Sequence, residues 1–128
     1  MKMIKDMYQA ADWKSEKHAP VIQAPGFTPG EPMNITVNIG EEIPHPNTTA
    51  HHIAWIEVYF LPRDEKFPYL IGRYTFDGHG ASVQGADTST VYSEPYVTLR
   101  FRSEKPGTIM ASSYCNIHGL WSGSAEIG

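Results

Sequence analysis

The sequence predicts an all-β protein, an immunoglobulin-like antiparallel β-sandwich of about seven strands with a short N-terminal segment. Three observations support this fold class. Apolar residues alternate with polar ones over several short runs, which is the period of a half-buried strand. Segments rich in Pro, Gly, Asp and Asn separate these runs at near-regular spacing. The 11 Gly, 10 Pro, seven Tyr, three Trp and five Phe favour short strands and tight turns over long helices.

Six runs can be placed in order along the chain: 32–39, 53–60, 69–76, 96–103, 108–114 and 124–127. Within the second run, the alternation predicts that one face carries Ala54, Ile56, Val58 and Phe60. Within the fourth run, it predicts that the core face carries Val97, Leu99 and Phe101. The longest irregular segment is expected at residues 77–90.

The N-terminal residues follow a different pattern. Apolar side chains recur there at three- and four-residue spacing, which predicts a short helix over residues 3–11. The chain has no internal repeat or low-complexity segment. With 128 residues, of which 41% are hydrophobic, it is expected to form one domain spanning residues 1–128 around one core.

Composition and charge narrow the functional classes. No apolar run has the length of a signal peptide or of a membrane span, so we expect a cytoplasmic protein with no membrane partner. One cysteine excludes an intrachain disulfide and draws attention to a free thiol or a metal-bound thiolate. The net charge of -4, without a Lys/Arg cluster, argues against a nucleic-acid partner.

Histidine is concentrated in one stretch, HPNTTAHH at residues 45–52, which holds three of the six histidines. His45 and His51 lie on either side of a short loop, so both side chains can turn toward one ion. Strand alternation prevents His51 and His52 from binding the same ion, and we therefore predict a packed, structural role for His52. His79, in a glycine-flanked turn, is expected to be solvated.

Two further segments extend this set of possible metal ligands. Cys115 and His118 are three residues apart in CNIHG, and a turn can aim both side chains at one point. His18 lies in another loop, which the following proline keeps extended. Each feature taken alone is commonly structural, but a thiolate with several neutral imidazoles is a ligand set for iron, copper or zinc. The combination predicts a transition-metal site.

The same residues resemble a known family, that of superoxide reductase, neelaredoxin and desulfoferrodoxin. The motifs EKHAP, HPNTTAHHIAWIEVYF, FPYLIGRYTFDGHG and CNIHGLW occur in the family's order and cover nearly the whole chain. The resemblance implies a mononuclear non-haem iron, Fe2+/Fe3+, with four equatorial imidazoles and one axial thiolate. The implied ligands are His18, His45, His51, His118 and Cys115.

The resemblance also assigns roles to two neighbours of His18. Glu16 matches a glutamate that can occupy the sixth iron position in the ferric state, and Lys17 matches a lysine beside the open site. Ala50 departs from the family pattern, in which glutamate is frequent, but it lies between ligands and is not one itself.

The activity implied by the resemblance is the one-electron reduction of superoxide to hydrogen peroxide with protons from solvent. A second iron centre, found in longer members, needs further cysteines that this chain lacks. An external electron donor such as rubredoxin is therefore expected. The resemblance to the single-iron members also implies a homotetramer. Because superoxide is an anion and the net charge is -4, Lys17 is predicted to attract the substrate locally.

Three alternatives use the same residues. A cupredoxin-like blue-copper electron carrier needs two His, one Cys and a weak axial Met, but no Met follows Cys115 and the imidazoles are too many. A structural zinc module is overfilled by five ligands. A cysteine hydrolase would use one histidine as a base and give the other histidines no role.

Overall fold

The computed structural model describes residues 1–128, and its seven strands form two antiparallel sheets packed face to face. The strands are β1 (Val21–Gln23), β2 (Met33–Asn38), β3 (Ile53–Pro62), β4 (Tyr69–Thr75), β5 (Tyr96–Phe101), β6 (Gly107–Cys115) and β7 (Gly119–Ile127). The smaller sheet has the order β1-β2-β5 and the larger the order β4-β3-β6-β7. The predicted all-β sandwich is confirmed.

The core lies between the sheets and follows the predicted alternation. In β2, Ile35 and Val37 are fully buried, while in β5 Val97 and Leu99 are each 7% exposed. The facing sheet contributes a second set of fully buried side chains: Ile56, Val58 and Ile109. Burial of each such side chain stabilises the fold by about 1.5–3 kcal/mol, so this shared core holds the two sheets together.

The start of β3 departs from the predicted alternation. The pairing of β3 with β6 shifts between Ile53 and Trp55, which leaves Ala54 as an extra residue. Such a β-bulge turns the strand locally, so Ile53 is buried while Ala54 is only half-buried. The prediction that Ala54 shares the core face of Ile56 was therefore wrong. The bulge places Ile53 opposite Cys115, at the end of the sandwich where the histidines lie.

The predicted N-terminal helix is also wrong. Residues 3–11 contain only one 3-10 turn, Ile4–Asp6, in which no residue is buried. A short segment gains too little from helical hydrogen bonds to offset the cost of the first turn. Gln9 forms a parallel bridge with Trp121 of β7 instead. No helix in the chain has the length and apolar character needed to cross a bilayer.

Two strand features were absent from the prediction. β1 has only three residues, flanked by Pro20 and Ala24-Pro25, and is too short to show an alternation. β7 begins at Gly119 rather than at residue 124. It therefore pairs with β6 over its whole length and forms a hairpin that begins at Cys115 and Gly119.

Candidate metal centre

Three segments converge at one end of the sandwich. They are the loop before β1, the loop between β2 and β3, and the turn between β6 and β7. Four possible ligand atoms from these segments lie within 4.8 Å of one another, and they belong to His18, His45, His51 and Cys115. The structure thus brings together residues that are up to almost a hundred positions apart in sequence, as the motif spacing predicted.

The imidazole of His118 completes a four-membered arrangement of rings, although His118 is outside that tighter set of four. Ring centroids are separated by 4.7 Å between His18 and His45 and by 4.8 Å between His45 and His51. They are separated by 5.0 Å between His51 and His118, and by 4.8 Å between His118 and His18. The diagonal from His18 to His51 is 6.4 Å, close to that of a square with these sides. The four rings surround one point.

Hydrogen bonds determine which ring nitrogens face that point. Nδ1 of His18 donates to Glu16 Oε1 at 2.5 Å, and Nδ1 of His45 donates to the Pro46 carbonyl at 2.6 Å. Since a carboxylate and a carbonyl only accept, both rings carry their proton on Nδ1 and present the lone pair of Nε2. In His118 the nitrogen on the inner side is Nδ1, which lies 3.1 Å from His18 Nε2.

His51 provides a direct test of whether a metal fits this site. Its Nε2 atom is buried and has no hydrogen-bond partner. A buried polar atom without a partner costs free energy, and native structures almost always satisfy such atoms. A metal ion at the centre of the rings would satisfy this nitrogen, and the neutral imidazoles with one thiol are suitable donors for it.

Protonation favours metal binding as well. Burial lowers the pKa of His45 to about 4, and the charges of His18, His51 and Lys17 act in the same direction. Burial, followed by the neighbouring His118, also lowers the pKa of His51. Both imidazoles are consequently neutral near pH 7, which is the form that binds a metal.

Cys115 approaches the cluster from the core side. Its side chain is fully buried at the end of β6, and Sγ lies 3.5 Å from His45 Nε2 and 3.9 Å from His118 Nδ1. The backbone N–H of His118 donates to the sulfur at 3.4 Å. Gly119, with φ +83°, closes the three-residue turn that makes this bond possible, and a side chain there would be strained.

Asn116 joins this turn to the histidine-rich loop, a role that the sequence analysis did not assign. Its Nδ2 donates to the Ala50 carbonyl at 2.9 Å, and its Oδ1 accepts the His52 N–H at 2.8 Å. These two groups lie on either side of His51 in the chain. Asn116 therefore fixes the backbone that carries His51 relative to Cys115. Its position next to Cys115 in the CNIHG motif is the sequence feature that could have indicated this role.

Glu16 and Lys17 lie beside the rings but outside the clustered donor atoms. The Glu16 carboxylate accepts the His18 side-chain N–H at 2.5 Å, the His18 backbone N–H at 2.5 Å and the Ala19 N–H at 2.9 Å. Partial burial acts to raise the pKa of Glu16, but these hydrogen bonds outweigh it and lower that pKa. Lys17 is half-buried, and its charge contributes to the lowered pKa values of His45 and His51.

The two remaining histidines pack against each other away from the cluster. The rings of His52 and His79 stack at 3.6 Å and 1°, and His52 Nδ1 bonds to the Thr48 carbonyl at 2.9 Å. The structural role predicted for His52 is confirmed. The prediction that His79 is solvated was wrong, because it is only 9% exposed and its ring bonds to Asn47 Oδ1 and to the Phe76 carbonyl. Burial lowers its pKa.

Comparisons with known proteins agree with this geometry. The Desulfoferrodoxin family model matches residues 10–124. Superoxide reductase from Pyrococcus furiosus is 51% identical over 119 residues, which cover 93% of this chain and 94% of that protein. Neelaredoxin from Megalodesulfovibrio gigas is 45% identical over 128 residues, which cover 99% of this chain and 98% of that protein.

A solved structure gives the same result at the level of the fold. The superoxide reductase (neelaredoxin) from Archaeoglobus fulgidus in the reduced form has a TM-score of 0.90 and 53% identity to this chain. The match covers 95% of this chain and 98% of that one. These matches confirm the family resemblance seen in the motifs. The chain belongs to the desulfoferrodoxin family.

Proposed function

We propose that the protein is a superoxide reductase that reduces superoxide to hydrogen peroxide at a single non-haem iron. The observation that carries this proposal is the convergence of four imidazole rings and one buried thiol at one end of the sandwich. The relatives named superoxide reductase match almost the whole chain and support the same activity.

The proposed iron ligands are the imidazoles of the square and the thiolate beneath it: His18, His45, His51, His118 and Cys115. Bound iron would supply the single electron that superoxide accepts, while the two protons come from solvent. The His118 N–H that donates to Cys115 Sγ moderates the charge of the thiolate. The four imidazoles and the thiolate would hold the iron, and superoxide would bind beside them.

Five donors favour iron over the other metals considered for this ligand type. A structural zinc site closes with four ligands, so a fifth donor has no place in it. A blue-copper site uses two His, one Cys and an axial Met. Met33 lies within β2 and pairs with Phe101, and Met110 lies within β6 and pairs with Tyr59. The four imidazoles also exceed the two that such a site uses. A cupredoxin-like carrier is therefore the weaker candidate.

Glu16 and Lys17 are proposed to have different roles at the site. Lys17 places a positive charge beside His45 and His51 and would attract the superoxide anion to a protein of net charge -4. The hydrogen bonds of Glu16 hold His18 in its ligand tautomer. To bind ferric iron as a further ligand, the Glu16 carboxylate would have to release these bonds.

The remaining features follow from the family. We propose an external, rubredoxin-like electron donor because the chain has a single cysteine and so no ligands for a second thiolate-bound iron. A homotetramer in the cytoplasm, built from one domain per chain, is the proposed physiological form.

The test is metal analysis combined with superoxide kinetics. Wild-type protein reconstituted with Fe2+ is expected to bind iron, to show a thiolate-to-ferric absorption band on oxidation, and to yield as much peroxide as superoxide consumed. Dismutation would give half as much peroxide. Cys115→Ser should abolish the band, whereas Ser113→Ala, a buried change two residues away on β6, should leave it intact. A colourless wild-type protein without iron would refute the proposal.

A further inference from the structure

The N-terminal segment lies directly beside the metal centre, although its role is not explained by the ligand set. Gln9 pairs with the start of β7 through its backbone, since its N–H donates to the Leu120 carbonyl at 3.0 Å and its carbonyl accepts the Ser122 N–H at 2.9 Å. Gln9 precedes the part of the chain matched by the family model, which begins at residue 10.

The side chain of Gln9 reaches a backbone group of a proposed ligand. Gln9 Nε2 donates to the His118 carbonyl at 2.8 Å. The indole Nε1 of Trp121 donates to the same oxygen at 3.3 Å. One carbonyl of the turn between β6 and β7 is thus held by two donors, one from the N-terminal segment and one from β7.

This carbonyl matters because the His118 ring lacks the outer hydrogen bond that the rings of His18 and His45 have. His18 and His45 are oriented through Nδ1, by Glu16 and by the Pro46 carbonyl. The ring of His118 makes no hydrogen bond outside the cluster, so its direction depends on the backbone of its turn. The His118 peptide also connects directly to Gly119, where φ is +83°. Fixing the His118 carbonyl therefore restricts the backbone from which the His118 ring projects.

Trp121 also contacts the neighbouring ring of the cluster, that of His18. Its ring is buried and stacks on His18 at 4.8 Å and 9°. The backbone bridge of Gln9 lies at Trp121 itself. The N-terminal segment consequently contacts two proposed ligands, His118 directly and His18 through the indole.

We propose that Gln9 is a positioning residue of the metal centre, which orients His118 through its carbonyl. This inference rests on the proposed ligand role of His118. Outer hydrogen bonds of this kind tune metal affinity, and losing one typically weakens metal binding. The role requires the amide N–H of Gln9 and not merely the bulk of its side chain.

The test replaces the amide with an apolar group of similar length. Gln9→Met removes the donor and keeps the backbone bridge, and Gln23→Met is the matched control because Gln23 lies on β1 and only accepts a bond from Thr36. Both variants and the wild type are loaded with Fe2+ or, separately, with Co2+. Three readouts are compared: the rate of metal loss to a chelator, the energy of the thiolate-to-metal absorption band, and the thermal midpoint of the metal-free protein.

The expected result is that Gln9→Met loses metal about fivefold faster than wild type, as loss of one exposed hydrogen bond predicts. Its absorption band should shift, while its metal-free thermal midpoint and all properties of Gln23→Met stay at wild-type values. Identical metal loss and spectra in Gln9→Met and wild type would overturn the role of Gln9, as would equal changes in both variants.

The same samples separate this inference from the proposed function. A wild-type protein that binds metal but does not reduce superoxide would refute the activity, while metal loss would still report on Gln9. A wild-type protein that binds neither iron nor cobalt would overturn both.

Discussion

Acidification is expected to destabilise the metal-free protein through His45. Burial lowers the pKa of His45 from its ordinary value of 6.5 to about 4. Between these two pH values the unfolded chain binds a proton that the folded protein excludes, so stability falls as pH falls. Above 6.5 both states are neutral, and His45 then contributes no pH dependence.

The size of the effect follows from the two pKa values. Between about pH 7.5 and about pH 5, His45 alone is expected to remove about 2 kcal/mol from the free energy of unfolding. This is an upper figure, because the half-buried ring keeps some contact with solvent. Burial also lowers the pKa of His51 and His79, and both act in the same direction. Glu16 acts only at lower pH, since its pKa lies below 4.5.

The assay is urea unfolding of the metal-free wild type and of His45→Gln at both pH values. Glutamine has no titratable group, and its amide can still donate toward the Pro46 carbonyl. We expect the wild type to lose up to about 2 kcal/mol more than His45→Gln on acidification. Equal losses in the two proteins would refute the argument that burial excludes the proton from His45.

Three further predictions concern the proposed ligands and their surroundings. His51→Gln should lose most of its iron, whereas His52→Gln on the next residue should retain it, as elemental analysis of the two proteins would show; equal iron content would exclude His51 as a ligand. Asn116→Ala removes the two hydrogen bonds on either side of His51. It should lower the free energy of unfolding by about 2 kcal/mol, as urea unfolding would measure, and speed metal loss, as chelator competition would measure. Lys17→Ala should slow superoxide capture and flatten its salt dependence at unchanged iron content, while Lys66→Ala should not; stopped-flow traces identical to wild type would reject the role of Lys17.

The strand pattern was predictable where one face of a strand meets the core. Alternation correctly placed Ile35 and Val37 in β2 and Leu99 in β5 because the side-chain period of a strand is fixed by its backbone. The prediction failed at Ala54, where a bulge adds one residue to β3 and reverses the alternation before it. Such a bulge depends on the pairing with β6, and no local sequence signal shows that pairing.

Where local preferences are weak, the structure of a segment was determined by the elements that it pairs with or packs against. The N-terminal residues have helical spacing, but a parallel bridge between Gln9 and Trp121 determines their course. β1 is strand because its three residues pair with β2. His79 was expected in solvent because glycines flank it, yet packing against His52 buries it.

The sequence by itself determined the sandwich and the types of the proposed ligands, because side-chain periodicity and the donor chemistry of His and Cys are local properties. It also brought His18, His45, His51, His118 and Cys115 to attention through their motifs. The tertiary structure decided which nitrogen of His18 and of His45 faces the centre, since those choices depend on hydrogen bonds to Glu16 and Pro46. The tertiary structure alone revealed the hydrogen bonds of Asn116 to the histidine-rich loop and the contact of Gln9 with His118, because both join residues that only folding brings together.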